Sequence, residues 1–135
     1  MKLPLLIGLL AATLMLPGCL AVDEPVCQST ILVPISTATG PRTATAGQAV
    51  TYSLGYSLGN SCGTFGNLIT NTVTNADNTT TQQVGVNGNY SGCSCNAVAT
   101  ASQASYQFTP PKAGTYYVQF LTTNNAFITD TLVVQ

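Results

Sequence analysis

Val50-Thr51-Tyr52-Ser53-Leu54-Gly55-Tyr56-Ser57-Leu58 alternates without a break: Val50, Tyr52, Leu54, Tyr56 and Leu58 fall on one face, and Thr51, Ser53, Gly55 and Ser57 on the other. Successive side chains of a strand point to opposite faces, so this period of two predicts a half-buried antiparallel strand. Tyr52-Ser53-Leu54-Gly55 is followed at once by Tyr56-Ser57-Leu58-Gly59, a local duplication too short to define a repeat architecture. Gly55 inside the pattern marks a bulge or a close approach of a second backbone.

Outward from this strand, Ala46-Gly47-Gln48 turns into it. Before that, Gly40-Pro41 closes a segment in which Ile31, Val33 and Ile35 alternate with Leu32, Pro34 and Ser36. That segment predicts a first strand, and Pro34, lacking an N–H, places it at an edge or a kink. Further strands are predicted over 67–74, 79–86, 97–108, 115–122 and 126–134. Between them lie Asn75-Ala76-Asp77-Asn78, Asn87-Gly88-Asn89, Pro110-Pro111-Lys112-Ala113-Gly114 and Asn124-Asn125, all turn compositions. No stretch after Ser29 carries a helical period. About seven or eight strands between residues 29 and 135 predict an all-β, antiparallel sandwich.

Tyr106-Gln107-Phe108, the Pro110–Gly114 turn and Thr115-Tyr116-Tyr117-Val118-Gln119-Phe120 resemble strand E, the E–F turn and strand F of bacterial immunoglobulin-like domains. Gly47, Val50, Tyr52 and Leu54 resemble strand B of the same fold. The resemblance covers most of residues 29–135 and implies an immunoglobulin-like sandwich. It gives Tyr116 the part of the tyrosine corner, whose hydroxyl bonds upstream backbone and locks the turn. The chain departs from antibody domains in having no tryptophan, and Tyr52 and Val118 stand at the core positions where those domains carry cysteines. Aliphatic and tyrosine packing must therefore hold the core.

At the other end of the chain, Lys2 precedes an apolar run from Leu3 to Leu16 that is interrupted by Pro4, Gly8 and Thr13. The run is short for a bilayer span and has the layout of a cleaved signal. Leu16-Pro17-Gly18-Cys19 resembles the lipobox of bacterial lipoproteins, with Pro17 where that family more often has a small or hydroxylated residue. The resemblance implies cleavage between Gly18 and Cys19 and acylation of Cys19, which becomes the mature N-terminus. Each buried methylene contributes about 0.8 kcal/mol, so two or three chains anchor permanently. The expected organisation is a signal peptide over 1–18, a lipidated tether over 19–28 and the sandwich over 29–135. Asp23-Glu24 in the tether resembles the surface-export signal of Bacteroidetes lipoproteins, and equally suits a solvated linker. Location on the outer membrane is implied, with its face left open.

Loss of Lys2 with the signal takes the formal charge from −1 to −2. Arg42 and Lys112 are then the only cations, too few for a phosphate-binding surface, so nucleic acid is excluded as a partner. With Cys19 set aside, Cys27, Cys62, Cys93 and Cys95 remain, an even number that reads as two disulfides in an oxidising compartment. A Cys93–Cys95 link would close a small strained ring. Cys62 is therefore expected to pair with one of that couple and Cys27 with the other. One C-x-C and no histidine make a poor zinc set, and Cys93-Ser94-Cys95 has no nearby cation or helix N-terminus to activate a thiol.

The absence of histidine rules out Ser-His-Asp and Cys-His sites. Of four acids, Asp23 and Glu24 lie in the tether, and Asp77 and Asp130 lie in a turn and a late strand, a poor arrangement for paired carboxylates. Asp77 with Asn75 and Asn78 offers calcium a single carboxylate, so a plain turn is the better reading. No cofactor is implied. Tyr56, Tyr90 and Tyr117 are candidates for glycan stacking if exposed together. Asp130-Thr131-Leu132 resembles the Bacteroidetes O-glycosylation acceptor, making Thr131 a candidate. Asn78-Thr79-Thr80 and Asn89-Tyr90-Ser91 match the N-glycosylation triplet and read as turns. The sequence thus predicts a non-catalytic, membrane-anchored binding, adhesion or assembly module for a protein or glycan partner, acting through loops or a sheet edge. The alternatives are a periplasm-facing accessory subunit of an envelope complex and a small carbohydrate-binding or inhibitor lipoprotein.

Overall fold

The computed structural model describes residues 26–135. Gly18, Cys19 and the expected signal and acidic tether segment lie outside the described residues. Nine strands follow in order: β1 Gln28–Val33, β2 Ile35–Thr39, β3 Thr43–Ala44, β4 Val50–Leu58, β5 Gly63–Thr74, β6 Thr80–Ser91, β7 Thr100–Phe108, β8 Gly114–Leu121 and β9 Phe127–Val134. They form two sheets, a small one ordered β2-β4-β7 and a large one running β1-β6-β8-β9-β3 with β5 added to β6. The molecule is an all-β sandwich.

The alternation in β4 is realised residue by residue. Val50, Tyr52, Leu54, Tyr56 and Leu58 are buried, and the intervening Thr51, Ser53 and Ser57 are exposed. Across the sandwich they meet Val84 and Val86 of β6, Val118 and Phe120 of β8, and Leu132 and Val134 of β9. Tyr52 is fully buried, with its ring centroid 5.3 Å from Phe120 and 6.4 Å from Tyr106. Gly55 lies beside the register shift between β2 and β4, where a Cβ would overlap the Thr37 hydroxyl, so the absent side chain admits the neighbouring strand. Ser36 Oγ closes that irregularity by donating to the Gly55 carbonyl at 3.0 Å.

With β4 as strand B, β7 as E, β8 as F and β9 as G, the B–E and F–G pairings of an immunoglobulin-like sandwich are both present. The large sheet, however, is mixed. β6 runs parallel to β8 and β3 parallel to β9. The chain leaves β6, crosses to the small sheet as β7 and returns as β8, and a crossover of that kind delivers a parallel neighbour.

Besides the parallel pairs, which depart from the antiparallel sandwich expected, two further expectations are corrected. The segment around Ile31–Ser36 is two strands, because the chain breaks at Pro34 and changes sheets, with β1 pairing β6 and β2 pairing β4. Asn87-Gly88-Asn89 is the interior of β6, which extends to Ser91. Gly88 is needed there for packing: a Cβ would stand 2.7 Å from Val33 Cγ2 and 3.1 Å from Leu58 Cδ2.

Candidate functional site

The end of the sandwich at which β1 begins is closed by Cys27–Cys93 and Cys62–Cys95. Cys27 immediately precedes β1, Cys62 sits in the β4–β5 turn, and Cys93 and Cys95 stand in the β6–β7 connection. The expected rule, one partner each for the two closely spaced cysteines, holds. Gly92 N–H donates to the Cys27 carbonyl at 2.9 Å and Ser91 N–H to the Cys62 carbonyl at 3.2 Å. Sequence separations of 33 and 66 residues correspond to about 3.7 and 4.3 kcal/mol taken singly in the chain-entropy treatment. The two bridges thereby tie the start of β1 and the β4–β5 turn to the connection that follows β6.

The opposite end carries the β5–β6 and β7–β8 turns. Asn78 adopts φ 64°, and Asp77 Oδ1 accepts from Thr79 N–H at 3.0 Å and from Thr79 Oγ1 at 2.6 Å. Those bonds hold the Asp77 carboxyl below its ordinary range and make it a turn residue. Tyr116 Oη donates to the Lys112 carbonyl at 2.9 Å, tying its ring back across the Pro110–Gly114 turn.

Between these ends runs β5, whose ladder among the described residues is to β6 on one side only. Its 12 residues contain no Pro, Lys, Arg, Asp or Glu. Phe65, Ile69 and Val73 are 47%, 39% and 38% exposed. A bulge between Phe65 and Asn67 leaves Leu68–Thr74 as the regular part of the edge. Natural edge strands are commonly blunted by charge or proline, and β5 uses neither.

The outer face of the large sheet continues from this edge. Asn71 Nδ2 donates to Gln83 Oε1 at 3.1 Å and Gln83 Nε2 to Gln119 Oε1 at 3.3 Å, an amide row crossing β5, β6 and β8. Beside it, β6 is flanked by β8 over Thr80–Val84 and by β1 over Val86–Ser91. At the seam, Ile69, Gly85, Leu121 and Phe127 line an apolar hollow of about 170 Å³. That volume falls below the ~300 Å³ at which small-molecule pockets begin. This hollow suits contact better than enclosure.

The remaining sequence candidates are scattered. Tyr56 is buried in the core, Tyr90 receives the Gly59 N–H on its hydroxyl at 3.2 Å, and Tyr117 is half-buried on the outer face. The three tyrosines form no common platform, because β4 and β8 turn theirs to different sides. Thr131 is exposed opposite Tyr117, with Leu132 beside it buried. Asn89 is a strand residue whose Oδ1 accepts from Thr30 Oγ1 at 2.8 Å.

Burial, helped by the charge of Asp130 and by Tyr106, pushes the Tyr52 hydroxyl up to about 12, and burial also raises Tyr106. Both phenols are therefore neutral core groups at physiological pH. Among the described residues, no three His, Cys, Asp or Glu side chains converge as a metal site. The β5 edge and the amide row were missed from sequence. A signal for the edge exists in the twelve uncharged residues after Cys62, but which side of β6 they would occupy is set by long-range pairing. Compared with known proteins, the chain matches no family model, no curated protein and no solved structure.

Proposed function

We propose that this chain is a lipid-anchored, non-catalytic protein of a bacterial envelope that presents a β-sandwich at the membrane surface and binds a partner along the β5 edge. The observation that carries the reading is the pairing of Cys27 with Cys93 and of Cys62 with Cys95, which uses every cysteine except that of the Leu16–Cys19 lipobox. Two disulfides suit an oxidising compartment, and the cysteine left over is the one a lipoprotein acylates. The stapled end then faces the membrane and the Asn75–Thr79 and Pro110–Gly114 turns face away. β5 runs from the stapled end at Gly63 to the far end at Thr74 and offers its backbone to an added strand, a mode of binding that needs no reactive side chain.

Metabolic labelling with a fatty-acid probe tests the anchor. Label on the wild type and none on Cys19→Ala is the expected result; label retained by Cys19→Ala would overturn it.

A further inference from the structure

The regular part of the free edge reads Leu68-Ile69-Thr70-Asn71-Thr72-Val73-Thr74, and around Asn71 it is nearly palindromic. Thr70 mirrors Thr72, and Ile69 mirrors Val73. We propose, resting on the reading that β5 is the contact edge, that its partner is the β5 strand of a second copy, paired antiparallel about a two-fold axis through Asn71.

An isologous contact sets each residue against its own mirror position, so only a self-complementary strand satisfies it. Directly opposed residues of antiparallel strands lie on the same face. With the axis at Asn71, Ile69 meets Val73 of the second copy on the outer face and Thr70 meets Thr72 on the other. One residue away the match is lost, because an axis at Thr70 sets Ile69 against Asn71, and an axis at Thr72 sets Val73 against Asn71. The exposed Ile69 and Val73 would each gain a β-branched neighbour, and no charge on β5 opposes the approach. Asn71 spends one amide hydrogen on Gln83. Its second hydrogen and its oxygen suit the same residue of the second copy, joining the two Asn71–Gln83–Gln119 rows into one. Of the other edges, β7 exposes no large apolar side chain, since Tyr106 is buried and Phe108 half-buried; β9, open before its short pairing with β3, carries Asp130, and β1 exposes Ile31 and Leu32 but runs into Pro34 after six residues.

The test is a charge swap on the axis, read by sedimentation of the full-length protein purified in detergent. Wild type should be dimeric. Asn71→Lys and Asn71→Asp, each placing like charges face to face, should weaken the dimer about tenfold apiece. Their equimolar mixture should regain most of the wild-type affinity and lose it again in high salt. A monomeric wild type, variants as dimeric as wild type, or a mixture that stays monomeric would overturn the proposal. A photocrosslinker placed at Ile69 in intact cells separates this failure from that of the edge itself. An adduct of twice the chain's mass supports the second copy; an adduct with a different protein overturns it while keeping β5 as a contact edge. No adduct overturns both.

Discussion

Raising the pH from 9 to 11 is expected to weaken the folded protein by about 1.3 kcal/mol through Tyr52 alone. Tyr52 is fully enclosed between the sheets, against Phe120 and Tyr106, and its hydroxyl ionises near 12 in the fold against 10 in the open chain. Because the folded value is the higher one, its contribution is fully present below pH 10 and is lost as pH rises from 10 towards 12. Unfolding then releases a proton, and each full pH unit in that window costs up to about 1.4 kcal/mol. Urea unfolding at pH 7, 9, 10 and 11 under non-reducing conditions measures the slope. Tyr52→Phe should cost little at pH 7, since the bond from Tyr52 Oη to the Pro41 carbonyl is long at 3.4 Å, and should flatten the alkaline slope. Tyr106 remains in both proteins, so their difference reports Tyr52 together with its interaction with Tyr106. An equally steep loss in Tyr52→Phe would refute the assignment of the slope to this side chain.

Three further outcomes follow from the same packing. Tyr116→Phe removes the bond to the Lys112 carbonyl and should lower urea stability by about 1 kcal/mol; no loss would mean that the carbonyl finds another partner. Gly88→Val should cost on the order of 1 to 3 kcal/mol by thermal or urea unfolding, since its side chain enters space held by Val33 and Leu58; a tolerated valine would argue for a turn at that position. Cys62→Ala combined with Cys95→Ala should lower stability by about 3.7 kcal/mol, and non-reducing peptide mapping should still find Cys27 joined to Cys93.

What the sequence discloses is whatever local alternation determines. β4 was fully legible, because each buried side chain from Val50 to Leu58 is separated from the next by a small or polar one. The cysteine pairing was legible as a rule, though which of Cys93 and Cys95 meets Cys27 depends on how the β6–β7 connection lies across the stapled end. Pro34 was legible as a break, but a missing N–H does not say that the next residue joins the opposite sheet. Gly88 between two asparagines has a turn's composition and a strand's conformation, since Val33 and Leu58, distant in sequence, close over it. The β5 edge was illegible for a related reason: twelve uncharged residues form an open edge only because β8 and β1 together occupy the other side of β6, leaving no strand of the described residues beyond β5.

The intact mass of the protein extracted from producing bacteria, recorded without reductant after alkylation of free thiols, tests the central claim most directly. The account predicts a chain beginning at Cys19, heavier than its amino-acid mass by a glyceride and fatty acyl groups, with no alkylated cysteine. A chain that begins elsewhere, carries no lipid mass or takes up the alkylating agent would contradict it.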